Sequence, residues 1–324
     1  MFIQICGRGR GRLLSMRPLG CTRPFAVKNG LLTLNDNRFL IGARDLEQRL
    51  GDSRLRVVDC RFELLDPAAG RKCYERAHIP GAVFADLDHD LAGPVGPGTG
   101  RHPLPEPGVM CATFGRLGID SGTTVVVYDE RSGGLAARAW WLLRWLGHEN
   151  AMLLDGGLAA WQELGLATDA GDVSVPAKRF SGTPRHEMVL GTEEIAKQGV
   201  RRAPYALVDA RSSARFRGEE EPIDPVAGHI PAALNLPYDD CLDEKGRWRP
   251  VSSVADRLQD VLGPDKDRPW AAMCGSGVTA CHLVVAALVA GYAEPRVYVG
   301  SWSEWIRDPG RKVQSGAAEA AERA

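Results

Sequence analysis

One cysteine in this 324-residue chain stands in a run of residues that suits nucleophilic chemistry. In Cys274-Gly-Ser-Gly-Val-Thr279 the thiol follows an apolar, strand-like segment and precedes a helix-like one. The two glycines allow a tight turn, so that successive backbone N–H groups face inward and bind an anion. Such a ring beside a helix N-terminus also favours the thiolate form of a cysteine. We therefore predict Cys274 as a nucleophile in an anion-binding loop whose substrate-binding residues are Gly275, Gly277, Val278 and Thr279.

The alternative is a buried structural cysteine at the start of a core helix, which is the interpretation we give to Cys281. The chain has eight cysteines, but none forms a C-x-x-C pair and no histidine lies at zinc-ligand spacing from a cysteine pair. We therefore expect no metal site. Scattered cysteines without a secretory signal favour a reducing compartment, and we predict a cytoplasmic protein.

An internal repeat organises the chain. Asp59 and Asp209 lie in Val-Asp-x-Arg motifs 150 residues apart, and His78 and His229 begin His-Ile-Pro motifs 151 residues apart. Within each repeat, short apolar strands alternate with helical patterns. That alternation predicts two α/β domains, each with a mainly parallel sheet flanked by helices. Ligands of such sheets bind at the carboxyl ends of the strands, which is where Cys274 lies.

The repeat also predicts the domain boundaries. We expect a basic leader, a first domain, a linker rich in Pro and Gly, a second domain and a flexible tail. These are residues 1–30, 31–170, 171–190, 191–308 and 309–324.

The first repeat carries Asp129 where the second carries Cys274. A carboxylate cannot replace a thiolate as a nucleophile toward a soft sulfur atom. We therefore predict that the first domain is inactive and forms one wall of a cleft between the two domains.

Charge and hydropathy exclude several classes of protein. The net charge is -1, so the chain has no general attraction to nucleic acid or to an anionic membrane. The longest apolar run, residues 283–290, is far too short to cross a bilayer. Two interpretations of the basic leader are favoured: translation starts at Met16 and the residues before it are wrongly included, or the leader is a flexible basic tail. An organelle-targeting presequence and a secretory signal are the other interpretations.

Residues 31–308 resemble the tandem-domain rhodanese family of sulfurtransferases. The resemblance rests on the paired motifs, on the Cys274 loop and on the closing run Gly300-Ser-Trp-Ser-Glu-Trp305. It implies that Cys274 takes sulfur from a small-molecule donor as a persulfide and passes it to cyanide or to a thiol, with reduced thioredoxin among the candidate thiols. This is covalent catalysis without a bound cofactor.

The loop is similar to that of the 3-mercaptopyruvate branch of the family, whereas the thiosulfate branch places Arg and Lys after the cysteine. The resemblance implies that a serine and a histidine of the first domain relay a proton toward the departing enolate. Ser276 and His78 match these two positions. Asp59 and Asp66 are the candidates for an acid in that relay.

The resemblance also assigns Arg215 to the carboxylate of the donor, which a planar guanidinium binds well. One departure weakens the case for mercaptopyruvate. The stretch 219–227 holds several acids, and it lacks the second arginine that this branch carries there. Thiosulfate therefore stays as the alternative donor.

A cysteine before a glycine-containing loop is also compatible with two other functions. A phosphatase loop needs an arginine six residues after the cysteine, and position 280 is Ala280. A non-catalytic sulfur carrier or redox-sensing scaffold stays open from the residues alone. We predict structural roles for His229, for ion pairs of Arg61 and Arg211, and for the tryptophans of 140–145, and a solvated loop at 219–221.

Overall fold

The computed structural model describes residues 38–318, which form two domains with the same order of strands and helices. The first domain comprises β1 (Leu40–Ile41), α1 (Ala43–Glu47), β2 (Leu55–Asp59), α2 (Pro67–Arg76), β3 (Val83–Phe84), α3 (Pro107–Arg116), β4 (Thr124–Tyr128), α4 (Ala136–Trp145), β5 (Ala151–Leu154) and α5 (Gly157–Glu163). The second comprises β6 (Val189–Leu190), α6 (Thr192–Gln198), β7 (Ala206–Asp209), α7 (Ser213–Arg217), β8 (Leu234–Asn235), α8 (Val251–Leu262), β9 (Trp270–Met273), α9 (Ala280–Ala290), β10 (Arg296–Tyr298) and α10 (Ser301–Trp305). Single-turn 3₁₀ helices cover His186–Met188, Val200–Arg202 and Tyr238–Cys241.

The two sheets have one topology, which confirms the predicted fold class. The strand orders are β1-β5-β4-β2-β3 and β6-β10-β9-β7-β8, and every neighbouring pair is parallel. Asp59 pairs with Tyr128 in the first sheet, and Asp209 pairs with Met273 in the second. The residues that follow β4 and β9, Asp129 and Cys274, therefore lie beyond the carboxyl ends of equivalent strands.

The domains share one hydrophobic core. Helices α4 and α9 pack against each other, and one cluster of buried side chains holds residues of both domains. Every residue of α4 is buried, including Trp140, Trp141 and Trp145, as predicted. Helix α9 is apolar apart from His282, and all of its residues except Leu288 are buried. None of the described helices is long and apolar enough to cross a membrane.

The segments around the domains are more ordered than the sequence suggests. The predicted linker packs on the first domain, where Phe180 is buried against Phe114 and Lys178 donates its backbone N–H to Gly115. Part of the predicted tail packs on the second domain, because Gln314 forms a β-bridge with His229. The predicted leader, residues 1–30, lies outside the described residues.

Candidate active site

The Cys274 loop is a tight turn between β9 and α9. The backbone N–H of Gly277 donates to Cys274 Sγ at 3.2 Å, and the N–H of Cys274 donates to Ser301 Oγ at 3.0 Å. Gly277 has a φ of +75°, and a Cβ there would lie 2.3 Å from the carbonyl oxygen of Val299. Only glycine fits this position. Gly277 therefore allows the turn that brings its own backbone N–H to the sulfur of Cys274.

A cavity of about 270 Å³ opens beside the sulfur, between the two domains. Among the predicted residues, Cys274, Gly275, Ser276, Val278 and Thr279 line it, whereas Gly277 lies behind the sulfur. The opposite wall comes from the first domain, as predicted. Its residues are Phe62, Leu64, Leu87, Arg101, His102 and Leu135.

Ser276 belongs to a hydrogen-bonded chain that crosses the domain boundary. Ser276 Oγ lies 2.8 Å from His102 Nδ1, and His102 Nε2 lies 3.2 Å from Asp88 Oδ1. Burial, together with Arg138 and Arg101, lowers the pKa of His102 to about 3, so the ring is neutral at neutral pH. Because Asp88 accepts from Nε2–H, Nδ1 is left as the acceptor of the Ser276 hydroxyl.

The predicted pairing of Ser276 with His78 is therefore wrong. His78 is fully buried, its Nδ1–H donates to the Tyr74 carbonyl oxygen at 2.8 Å, and its ring stacks on Tyr74. His229 repeats this arrangement on Phe216, with a bond of 2.7 Å. Both histidines of the repeated motif thus anchor the fold, as predicted for His229.

Neither Asp59 nor Asp66, the two acids predicted for this role, belongs to the hydrogen-bonded chain of Ser276 and His102. Asp59 binds Arg61 at 2.7 Å, and Asp209 binds Arg211 at the same distance, which confirms the paired structural ion pairs. Asp66 precedes α2, more than half exposed and 4.0 Å from Lys72. The carboxylate that ends this hydrogen-bonded chain is Asp88, four residues after the end of β3.

Arg215 lines the cavity, as predicted, and is held by acidic side chains. Its Nη2 lies 2.6 Å from Glu221 Oε1 and 3.2 Å from Asp224 Oδ2. Burial opposes ionisation of Glu221, but hydrogen bonds from Arg215 and from the backbone of Asp224 keep its pKa below the ordinary value. The predicted solvated loop at 219–221 is wrong for Glu221, whose side chain is 4% exposed.

A buried arginine of the first domain connects the parts of the site. Arg138 is fully buried in α4, and its Nη1 donates to the Gly277 carbonyl oxygen at 3.0 Å. Its Nη2 donates to the carbonyl oxygens of His102 and Pro103, each at 3.3 Å. Arg138 therefore fixes the Cys274 loop relative to the histidine that faces it.

Sequence reasoning missed Asp88, Arg101, His102 and Arg138. One signal was available for His102. His78 and His229 occur in both repeats and so serve a purpose common to both domains. The corresponding segment of the second repeat, residues 236–250 between β8 and α8, contains no histidine. A histidine confined to one repeat is the better candidate for chemistry that only one domain performs.

Two other buried thiols lie away from the cavity beside Cys274. Cys281 Sγ donates to the Gly277 carbonyl oxygen at 3.4 Å, and burial raises its pKa to about 12. Burial also raises the pKa of Cys241 to about 12. Neither Cys281 nor Cys241 lines the cavity beside Cys274, and Cys281 is a core residue, as predicted.

Known proteins share this architecture. The family model described as Rhodanese-like domain matches residues 42–164 and 192–308. The probable 3-mercaptopyruvate sulfurtransferase of Pseudomonas aeruginosa is 47% identical over 279 residues, covering 86% of this chain and 98% of the relative. A putative thiosulfate sulfurtransferase of Mycobacterium tuberculosis is 38% identical over 264 residues, covering 81% of this chain and 91% of the relative.

A solved structure agrees with these relatives. The crystal structure of SseA from Escherichia coli, a 3-mercaptopyruvate sulfotransferase, is 31% identical and superposes with a TM-score of 0.72. The match covers 82% of this chain and 99% of SseA. With two matched domains and relatives that span most of its length, the chain belongs to the rhodanese family and is a tandem-domain sulfurtransferase.

Proposed function

We propose that this enzyme transfers sulfur from 3-mercaptopyruvate to a thiol or to cyanide through a persulfide on Cys274. The observation that carries the proposal is the hydrogen-bonded chain from Ser276 through His102 to Asp88. A donor whose sulfur is bound to carbon leaves as an enolate, which must gain a proton. Sulfite, the leaving group of thiosulfate, needs none.

The sulfur of Cys274 attacks the sulfur on C3 of the donor. The S–S bond forms, the C3–S bond breaks, and its electron pair becomes the enolate of pyruvate. The proton that Cys274 loses passes to Ser276 and His102 and returns to C3. A persulfide, Cys–S–SH, and pyruvate result. An acceptor thiolate or cyanide then attacks the outer sulfur and releases the Cys274 thiolate.

Three features of the site support these roles. The neutral ring of His102 accepts the Ser276 hydroxyl at Nδ1 and is held in that tautomer by Asp88. Arg215 offers its guanidinium to the donor's carboxylate in the same cavity. The Gly277 N–H stabilises negative charge on the sulfur of Cys274.

The test compares the two donors with cyanide as acceptor, by measuring thiocyanate release from the purified protein. We expect a higher kcat/KM for 3-mercaptopyruvate than for thiosulfate. A higher value for thiosulfate contradicts the proposed donor, and absence of turnover with both contradicts catalysis from either small molecule.

Thiosulfate is the second candidate donor. The relative from Mycobacterium tuberculosis is named for it, and three arginines of the cavity wall suit a dianion: Arg101, Arg211 and Arg215. Against it, the positions after the cysteine are Gly275 and Ser276, which carry no charge.

We propose a small thiol or reduced thioredoxin as the acceptor in the cell, because a thiolate readily attacks the outer sulfur of a persulfide. We also place the reaction in the cytoplasm. All six cysteines among residues 38–318 are free thiols, which suits a reducing compartment. Incubating the persulfide form with each thiol and measuring sulfide release tests the acceptor.

A further inference from the structure

A second cavity adjoins the cavity beside Cys274. Its volume is about 510 Å³, against about 270 Å³ for the first. Four residues line both cavities and form the partition between them: Phe62, Leu135, Tyr238 and Thr279. Two of the four come from each domain, so the second cavity also lies at the domain boundary. A molecule in the second cavity is therefore separated by this partition alone from the space in front of Cys274.

The acceptor must reach a sulfur atom that lies inside the protein. Cys274 is 2% exposed, and the outer sulfur of its persulfide projects into the cavity that Cys274 lines. Donor and acceptor react in turn with Cys274, and the first cavity holds the donor. A thiol with a substituent larger than the donor needs further space, and the second cavity provides it.

The second cavity carries charges of both signs that the fold does not use. Glu63 and Arg131 line it, and both are exposed. Among residues 38–318 neither side chain forms an ion pair, and the guanidinium of Arg131 donates only to the Lys245 carbonyl oxygen, at 3.5 Å. The second domain holds the stem of this arginine, because a Cβ on Gly246 would overlap Arg131 Cγ. The charged end of Arg131 is thus positioned at the cavity without a partner of opposite charge.

The other arginine that lines this cavity is already paired. Arg61 binds Asp59 at 2.7 Å and Glu130 at 3.4 Å. Arg131 is therefore the arginine left for the carboxylate of a ligand. Glu63 is likewise left for an ammonium group.

We propose that the second cavity binds the acceptor, and that the acceptor is a thiol with both a carboxylate and an ammonium group, as in an amino-acid or peptide thiol. Arg131 binds its carboxylate and Glu63 its ammonium group, while its sulfur reaches past the partition to Cys274. The inference rests on the proposed function and adds to it the place and the charge of the second substrate.

The chemical step is a thiol exchange at the persulfide. The acceptor thiolate attacks the outer sulfur and forms a new S–S bond. The S–S bond of the persulfide breaks, and its electron pair returns to the sulfur of Cys274 as the thiolate. The outer sulfur keeps its proton, so the acceptor leaves as a hydropersulfide, R–S–SH.

The first test measures the acceptor half of the reaction alone. Enzyme persulfidated with 3-mercaptopyruvate is freed of donor and mixed with 3-mercaptopropionate or with cysteamine at equal thiolate concentration, and loss of the persulfide is followed by mass spectrometry. In Arg131→Gln the second-order rate constant should fall about three- to tenfold with 3-mercaptopropionate and less than about twofold with cysteamine, because only the first carries a carboxylate. Glu63→Gln should show the opposite preference. Arg54→Gln, at an exposed arginine outside both cavities, is the control and should change neither rate constant.

L-Cysteine and glutathione distinguish the two sources of such a thiol. With the wild type, each should react faster than 2-mercaptoethanol at equal thiolate concentration, and the faster of the two is the better fit to the cavity. If both react more slowly than 2-mercaptoethanol, the proposal is overturned. Equal losses with 3-mercaptopropionate and cysteamine in Arg131→Gln, or no loss with either, overturn the assignment of Arg131.

The donor half of the reaction separates this inference from the proposed function. Arg131→Gln should release pyruvate from 3-mercaptopyruvate and form thiocyanate from cyanide at wild-type rates, which also shows that the variant is folded. Slower pyruvate release would place Arg131 in donor binding and overturn its assignment to the acceptor. A wild-type enzyme that forms no persulfide from 3-mercaptopyruvate contradicts the proposed function itself, and that result is seen before any acceptor is added.

Discussion

The loops after β4 and β9 form the same turn around two different side chains, the Asp129 carboxylate and the Cys274 thiol. In the first domain the Asp129 carboxylate accepts N–H bonds from Arg131, Gly133, Leu135 and Ala136, at 2.8 to 3.3 Å. In the second domain the Gly277 N–H points at the sulfur of Cys274. Gly133 and Gly277 have φ values of +74° and +75°, and each stands three residues before its helix begins.

The difference shows what makes one domain catalytic. The turn that gathers N–H groups is common to both, and in the first domain a carboxylate of the loop itself fills it permanently. The second domain places a thiol there and opens a cavity beside it, walled by residues of the first domain. An anion-binding turn is thus a property of the fold, whereas activity needs the nucleophile and the facing wall together.

The largest expected effect comes from the nucleophile. Cys274→Ser keeps the loop but removes the sulfur that forms the persulfide, so thiocyanate production should fall at least about 1,000-fold. Cys73→Ser is the matched control because Cys73 is partly exposed and lies outside the cavity beside Cys274. We expect its rate to equal that of the wild type. Substantial turnover by Cys274→Ser would contradict covalent catalysis at this position.

Disrupting the hydrogen-bonded chain from Ser276 to Asp88 should lower kcat more with 3-mercaptopyruvate than with thiosulfate. Ser276→Ala and His102→Gln should lower kcat with 3-mercaptopyruvate by about 100-fold or more, because the enolate loses its proton source. The loss with thiosulfate should be much smaller. His78→Gln tests the alternative histidine, and we expect kcat to be close to the wild-type value. If kcat falls equally with both donors, the hydrogen-bonded chain only stabilises the Cys274 loop and transfers no proton.

The Asp129 loop should contribute to stability rather than to turnover. In Asp129→Asn, an amide NH₂ replaces one oxygen and faces backbone N–H groups, so we expect the free energy of unfolding to fall by about 2–3 kcal/mol. Denaturant unfolding measures this change. Glu130→Gln, at an exposed neighbouring carboxylate, is the control and should change stability by less than about 0.5 kcal/mol. A loss of activity without loss of stability would mean that the first loop also serves the reaction.

The last expected effect concerns stability alone and is its dependence on pH. His282 is buried, stacks on Trp248 with ring centroids 4.3 Å apart, and has its pKa lowered by burial to about 3. Between pH 6.5 and pH 3 the unfolded chain binds a proton here that the folded chain does not. Stability should therefore fall as the pH falls, by up to about 1.4 kcal/mol per pH unit from this residue.

His282→Gln removes that titration, so its unfolding midpoint should depend less on pH between 6 and 4 than that of the wild type. The exposed His186→Gln is the control and should leave the slope unchanged. Parallel pH profiles for the wild type and His282→Gln would show that His282 is not buried in its neutral form.

The repeated motifs made the fold and the nucleophile predictable. Each Val-Asp-x-Arg motif is the end of a buried strand plus the arginine that binds its aspartate, so one pattern predicts both a strand and an ion pair. The glycines after Cys274 marked a turn that other residues cannot form. These signals are local, because the residues involved lie within a few positions of one another.

The cavity wall that the first domain places opposite Cys274 was not predictable in the same way. His102 and Ser276 are 174 residues apart, and the irregular segment that carries Asp88, Arg101 and His102 has no periodicity or repeat partner. Arg138 looked like one polar residue of a helix, but that helix is buried on every side. Such contacts depend on how the domains dock, which no short pattern encodes.

The most direct test of the central claim is a single-turnover experiment with 3-mercaptopyruvate and no acceptor, read by mass spectrometry and by pyruvate release. We expect one pyruvate per chain and a mass gain of one sulfur atom, about 32 Da. No Lys or Arg separates Cys274 from Cys281, so fragment ions of their shared tryptic peptide must locate the added sulfur. Sulfur on Cys274 is the predicted result. Pyruvate release without a mass gain, or sulfur on another cysteine, would contradict the account.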